Sequence, residues 1–304
     1  MSLGVLNNLN ASYAEYNLNN TGNSLSKVLQ QLSSGSKINS GADDAAGLSL
    51  VNGLQANQQA LTQSVTNATE GVGLLQVADG ALTQVTSLLN RAVTLATEVS
   101  NGTLNSTQDT AANQEYQSIL SEISNIGSTT SYNQQTVFGG TFAIYTGDST
   151  TAGASVDTLT FAKLDATSST GTVGDTGGSI SYTAGSTSAA ATIYYTLGTG
   201  TSLAATSLTS TTNAQSALTT LNTAIAAVSA QDGYIGAQIN TLNAISSVES
   251  TQQQNIMSAQ NTVQATDYAT ASSNLSKYEI LSQTGISALA QANSVQQEVT
   301  KLLQ

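Results

Sequence analysis

The sequence predicts a mainly α-helical protein, in which long antiparallel coiled-coil helices from both ends form a rod and a small β-rich insert occupies the middle. Three observations carry this. Between Val51 and Ala96 apolar residues fall at Val51, Leu54, Leu61, Val65, Ala68, Val72, Leu75, Leu82, Leu89, Val93 and Ala96. Intervals of three, four and seven mark the a/d seam of a coiled coil. A second seam, Leu218, Leu221, Ile225, Val228, Ile235, Ile239, Leu242, Ile245 and Val248, lies toward the other end. Residues 137–212 abandon the pattern for Gly, Ser and Thr. A helix from Asp43 to Ser100 is ~85 Å long at ~1.5 Å per residue, so its stripe needs a second long helix beside it. The later seam supplies one.

Taken in order, residues 5–33 read as a first helix with Leu6, Leu9, Tyr13 and Tyr16 at heptad spacing, then Leu25, Val28, Leu29 and Leu32. The Asn- and Gly-containing stretch 17–23 between the two runs is a poor helix former. Such a helix is marginal alone and needs partners. Gly35 sits where a helix stops. Ser40 and Asp43 predict the N-terminal cap of the long second helix, whose seam only Gln58, Asp79 and Thr86 interrupt. Asn101-Gly102 ends it. Ser106 with Asp109 predicts the next cap, opening a helix through Tyr116, Ile119, Leu120 and Ile123 to Ile126, with Gly127 as its stop.

Short β-type runs follow at Thr141–Thr146, Thr158–Ala162, Ser179–Thr183 and Ala191–Leu197, separated by Gly clusters. The first two are spaced to form a hairpin. Helix returns from about Asn213 to Val263. The last ~40 residues then continue the heptad through Leu281, Ala288, Ala292, Val295, Val299 and Leu302, with Lys301 in the final turn to complement the helix dipole.

Composition narrows the function classes. The 304 residues contain no Cys, His, Trp or Pro and only 5% aromatics. Thin helical packing fits that better than an aromatic-anchored enzyme core, and the lack of Pro suits long unbroken helices. Net charge is −12, and the six basic residues are scattered, so no phosphate-binding patch can be assembled and anionic membranes are disfavoured. No run approaches 18 consecutive apolar residues. With no Lys or Arg before Lys27 and no compact apolar segment, the start of the chain does not read as a cleaved secretory leader. Without His or Cys, nucleophile triads and His-Glu-x-x-His zinc sites are excluded. Asp43 and Asp44 are adjacent carboxylates, but a helix start is reason enough for them. No catalytic, metal or cofactor site is expected. The Asn-x-Ser/Thr tripeptides, such as those at Asn67 and Asn101, are expected by chance in so Asn- and Thr-rich a chain.

Two blocks of residues go further. Leu32-Ser33-Ser34-Gly35-Ser36-Lys37-Ile38-Asn39-Ser40, then Asp43-Asp44-Ala45-Ala46-Gly47-Leu48, resemble the N-terminal signature of bacterial flagellin. Asp267-Tyr268-Ala269-Thr270, Asn274-Leu275-Ser276-Lys277 and Leu289-Ala290-Gln291-Ala292-Asn293 through Leu302-Leu303 resemble its C-terminal counterpart. The likeness covers roughly residues 1–138 and 213–304.

The resemblance implies a secreted, extracellular structural subunit that polymerises into the flagellar filament for swimming motility, without enzymatic activity. It implies an inner helical domain of residues 1–42 with 265–304 lining the filament channel. Residues 43–160 with 210–264 would form a helical domain around it that carries a β-hairpin, with 161–209 as a variable outer insert. Assembly contacts would come from Leu6, Leu9, Tyr13, Leu25, Leu29, Leu32, Leu275, Tyr278, Leu281, Leu289, Val295, Val299 and Leu302. The surrounding core would be Val51, Leu54, Leu61, Val65, Leu75, Leu82, Leu89, Leu221, Ile225, Ile239 and Leu242. Partners implied are many copies of itself, a flagellar export chaperone, cap and hook-junction proteins, with neither nucleic acid nor membrane. Arg91, Leu95 and Glu115 resemble the segment recognised by Toll-like receptor 5, although Val93 and Thr94 depart from the stimulatory pattern; the plain alternative is that Arg91 pairs with an acidic neighbour in the filament. The rival readings are a secreted coiled-coil adhesin and a hook-filament junction or tip protein. Exposed Ser and Thr of the insert are the candidates for O-linked sugars.

Overall fold

In the computed structural model, residues 8–147, 156–166, 179–182, 191–194 and 203–302 are described. Helix α1 is Leu9–Ser34, α2 Ala45–Ser100, α3 Ser106–Thr129, α4 Thr211–Gln264 and α5 Tyr268–Leu302. Between α3 and α4 lie β1 (Ser131–Tyr132), β2 (Gln135–Thr136), β3 (Thr141–Tyr145), β4 (Val156–Thr160), β5 (Ser179–Tyr182) and β6 (Ala191–Tyr194), paired as three antiparallel two-stranded ladders. The mainly helical class with a small strand-bearing middle is as expected. Leu6, Thr183 and residues 195–197 of the expected elements lie outside the described residues. The chain divides into two compact units, residues 1–56 with 255–304 and residues 57–254.

In the larger unit, α2 and α4 run antiparallel. Ser64 Oγ donates to Glu249 Oε1 at 2.6 Å, Gly71 packs toward Leu242, and Gly102 faces Thr211. As α2 advances by seven residues from Ser64 to Gly71, α4 retreats by seven from Glu249 to Leu242, and the next 31 residues of each keep the same step. The buried stripe of α2 is Leu61, Ser64, Ala68, Gly71, Leu75, Ala78, Leu82, Val85, Leu89, Ala92, Ala96 and Val99, a strict three–four alternation.

This corrects the register expected above. Leu61, Leu75, Leu82 and Leu89 sit in the seam, but Val65, Val72 and Val93 are only half-buried, and the residues just before them hold the inner positions. Asp79 and Thr86 are not interruptions, because Ala78 and Val85 occupy the seam at those turns. The reason is size: Ser64, Gly71, Ala78 and Ala92 let neighbouring elements approach the helix closely. On α4 the same alternation runs Ala214, Ala217, Leu221, Ala224, Val228, Gln231, Ile235, Gln238 and Leu242. Leu242 and Leu221 are buried there, Ile225 and Ile239 are half-buried, and Val248 is exposed. One window of α2 has the length and apolar composition of a membrane span. On that helix, however, Leu75, Ala78, Leu82, Val85 and Leu89 are buried in the seam, and Gln76, Asp79, Thr83 and Gln84 are among the exposed residues.

Two helix ends also differ from expectation. The α3 cap is Asn105, one residue earlier than Ser106: its side chain accepts from Thr107 N and Gln108 N while Gln108 reaches back to the Asn105 amide. This is a capping box. Gly127 does not stop α3, which continues to Thr129; it lies inside the last turns because Leu164 presses against it.

The expected hairpin is β3–β4, with Phe142 opposite Leu159 and Ile144 opposite Asp157 on the face turned to the core. A further hairpin, β1–β2, was not foreseen. Its two central residues, Asn133 (φ 47°) and Gln134 (φ 66°), are both left-handed, the backbone of a type I′ turn. The chain's three phenylalanines gather here: Phe138 and Phe142 stand edge-on to Phe161 with centroids 6.5 and 5.8 Å away. The strap 203–208 closes over α3, where Leu208 N donates to Asn113 Oδ1 and Gln117 Nε2 donates to Thr206 O.

Candidate assembly surface

In the smaller unit α1 and α5 lie along one another. Asn8 caps α1, its side chain accepting from Ala11 N and its amide donating to Ala292 O of α5. Gly35 ends α1 in the left-handed region (φ 69°), where any side chain is strained, with Tyr268 Oη 2.9 Å from where a Cβ would sit. The chain passages 35–44 and 265–267 are then stapled together. Ser36 and Ala265 form an antiparallel bridge, Lys37 N donates to Gln264 O (2.7 Å), and Thr266 N donates to Gly35 O (3.0 Å).

Asp43 is the hub of this joint. Its Oδ1 meets Lys27 Nζ at 2.8 Å, and its Oδ2 accepts from Asn39 N, Ser40 N and Ser40 Oγ. The Lys27 ammonium, with these hydrogen bonds behind it, holds the carboxyl at about 2, well below its ordinary 3.8. Helix α2 is capped by Asp44 rather than by Ser40: Asp44 Oδ1 accepts from Gly47 N. Asp267 caps α5, accepting from Ala269 N, Thr270 N and Thr270 Oγ1, and these bonds lower its pKa. The two signature blocks are thus the two sides of one stapled joint. The sequence reading placed Asp43 only at the start of the second helix and gave Lys27 and Asp267 no role, because a salt bridge across a loop leaves no periodic mark.

Beyond the joint, α1 and α5 hide little. Val28, Ile38, Val51 and Ala271 are buried. Of the expected assembly residues, Leu9, Tyr13, Leu29, Leu281 and Val295 are exposed, and Leu25, Leu32, Leu275, Tyr278 and Leu289 are half-buried. The side chains of Val299 and Leu302, like Leu6, lie outside the described residues. Tyr16, Tyr268, Ile280 and Ile286 of the same two helices are all at least 57% exposed; Tyr16 stands at the heptad spacing read from sequence, whereas Tyr268, Ile280 and Ile286 lie off it. A groove of about 570 Å³ between α1 and α5 is lined by Leu18, Tyr278, Leu281 and Gly285 among others. These exposed large apolar side chains, on one helix pair with a groove between its helices, make this the candidate interaction surface.

Of the residues expected in the surrounding core, Val51, Leu61, Leu75, Leu82, Leu89, Leu221 and Leu242 are buried, while Leu54, Val65, Ile225 and Ile239 are half-buried. Arg91 pairs within the chain, its Nη2 and Nε reaching Glu115 Oε1 at 2.7 and 2.8 Å on an exposed face. Leu95 does not share that face; at 3% exposure it belongs to the interhelical core. Among the described residues no three metal-binding side chains cluster.

Comparison with known proteins returns one family at both ends. The bacterial flagellin N-terminal helical region matches residues 5–143, and the bacterial flagellin C-terminal helical region matches 218–303. Polar flagellin C of Vibrio parahaemolyticus is 37% identical over 142 residues, covering 47% of this chain and 37% of that protein. A flagellin of Clostridium tyrobutyricum is 36% identical over 179 residues, covering 59% of this chain and 47% of its own length. The chain thus spans less than half the length of these curated relatives. A crystal structure of Bacillus cereus flagellin aligns at 24% identity and a TM-score of 0.44, over 64% of this chain and 94% of that one. Matched by both terminal regions in the family's order, the chain belongs to the bacterial flagellins.

Proposed function

We propose that this chain is a structural subunit that polymerises into the filament of a bacterial flagellum, outside the cell, and performs no catalysis. The observation that carries the reading is the apolar surface of α1 and α5: Leu9, Tyr13, Tyr16, Tyr268, Ile280 and Ile286 stand in solvent in the isolated chain. Burial is worth roughly 25 cal/mol per Å² of apolar surface, so copies of the same helices laid side by side gain what one copy forgoes. Contacts of this head-to-tail kind propagate without closing and give a helical polymer. In that polymer residues 1–42 with 265–304 line the channel, residues 43–160 with 210–264 surround them, and 161–209 face outward. Export through the flagellar secretion route, a chaperone for the C-terminal helix and cap and hook-junction partners follow from the same reading. A coiled-coil adhesin or a tip protein has no reason to carry both terminal flagellin regions in order.

Electron microscopy of the purified full chain after seeding tests this. Long helical filaments are expected, and none from chains lacking residues 1–42 or 265–304. Discrete oligomers from the full chain, or normal filaments from either truncation, refute it. Toll-like receptor 5 is proposed to touch the exposed Arg91–Glu115 pair but not Leu95. An Arg91→Ala protein with undiminished signalling in a receptor reporter assay refutes that contact.

A further inference from the structure

Three weaknesses of the α2–α4 seam fall at one level. The contact register places Gly80 level with Gly233, with Gly236 about one turn away. A side chain added at Gly80, Gly233 or Gly236 would meet nothing within 4 Å, so no neighbour demands glycine there. The case differs at Gly71, where Ile144 fills the space. Glycine inside a helix weakens it relative to alanine, because it gives up more backbone freedom on folding.

At the same level two of the α4 seam positions are amides, set among the buried Leu75, Ala78, Leu82 and Ile235. Gln231, 2% exposed, stands opposite Leu82, and Gln238, 0% exposed, stands opposite Leu75. Neither the oxygen nor the nitrogen of either amide has a partner, a costly arrangement in a dry interface. On the flank two acids adjoin. Burial, and then the neighbouring Asp79 side chain, push the Asp232 carboxyl above its ordinary range. The seam on the α4 N-terminal side of this level is different in kind. Val85, Leu89, Ala92, Ala96 and Val99 of α2 are wholly buried apolar residues. So are their counterparts on α4, from Ala214 to Val228.

We propose that residues 75–82 of α2 and 231–238 of α4 form a soft joint, at which the helix pair opens locally and bends while the apolar seam beside it stays closed. Unneeded glycines, unpartnered amides and adjoining acids each lower the local stability, and local opening follows local stability. The joint is a property of the single chain and does not depend on polymerisation, so its failure and that of the filament reading are separable.

Amide hydrogen exchange on the full-length monomer tests it. Protection factors for 75–82 and 231–238 are expected at least tenfold below those for 85–96 and 217–228. A Gly80→Ala/Gly233→Ala variant, which has room for both methyl groups, is expected to narrow the gap, and a Gln231→Leu/Gln238→Leu variant to narrow it independently. A gap below tenfold in the natural chain overturns the joint, as does a gap that neither variant narrows.

Discussion

Gly127→Ala isolates the packing of α3 against the segment that crosses it. A methyl group built at Gly127 lies 2.7 Å from Leu164 Cβ and nearer still to the Leu164 carbonyl oxygen, where ordinary contact begins at about 3.4 Å. The obstacle is backbone, so no rotamer change relieves it. Either α3 or the strand-like segment 161–166 must move by roughly 1 Å. That segment is tied down: Leu164 is 3% exposed, Ala166 is fully buried, and Ala166 N donates to Ser124 Oγ at 2.8 Å. Overpacking of this kind costs about 1–3 kcal/mol, and losing the Ala166–Ser124 bond adds about 1 kcal/mol. The gain in helix propensity, about 1 kcal/mol, offsets part of this. The net expectation is a loss of about 1–3 kcal/mol. Urea unfolding of the monomer measures it, with Gly80→Ala as the matched control. That control makes the same chemical change into open space and is expected to stabilise by roughly 0.5–1 kcal/mol. A Gly127→Ala protein as stable as its parent would show that the Leu164 approach imposes nothing.

Two further perturbations concern charge. Asp157 is 2% exposed on the core face of β4, neither carboxylate oxygen has a partner, and burial pushes its pKa up. A carboxyl whose pKa is raised on folding costs stability as pH climbs from its unfolded value through its folded one. Asp157→Asn is therefore expected to raise the melting temperature at pH 7, on a scale of about 1–3 kcal/mol, and to change little below pH ~4; equal effects at both pH values would contradict this. Asp43 has the opposite sign. Its lowered pKa contributes stability that is full above the ordinary carboxyl value and is lost as pH falls from 3.8 toward about 2. Lys27→Met removes the largest cause, so carbon-detected titration of the Asp43 carboxyl should show its pKa rising toward 3.8. An unmoved titration would assign the depression to the Asn39 and Ser40 hydrogen bonds instead.

Large residues made half of each seam readable. Leu61, Leu75, Leu82 and Leu89 stand out in any apolar pattern, and so the existence and pairing of α2 and α4 followed from spacing alone. The other half is Ser64, Gly71, Ala78 and Ala92, residues whose burial comes from what approaches them rather than from their own hydropathy. Nearby valines at 65, 72 and 93 outweighed them on paper. The β1–β2 hairpin was hidden because strands of two residues have no alternation; only Asn133, tolerant of a left-handed backbone, hinted at it. Gly127 read as a stop because a turn and a tight helix crossing both ask for the same residue. The terminal signature blocks were recognisable as sequence, whereas the Asp43 carboxylate that joins Lys27, Asn39 and Ser40 could be seen only in three dimensions.

The bridge between Ser36 and Ala265 makes everything from residue 37 to residue 264 an excursion that leaves and returns at one gate. The entropic toll of closing such an excursion rises only with the logarithm of its length, about 0.6 kcal/mol for each doubling. Whole modules can therefore be spliced into the far end of the excursion, or cut from it, with hardly any effect at the gate. Evolution is left free to redraw the exterior while the hinge-pin residues at the gate stay under separate control.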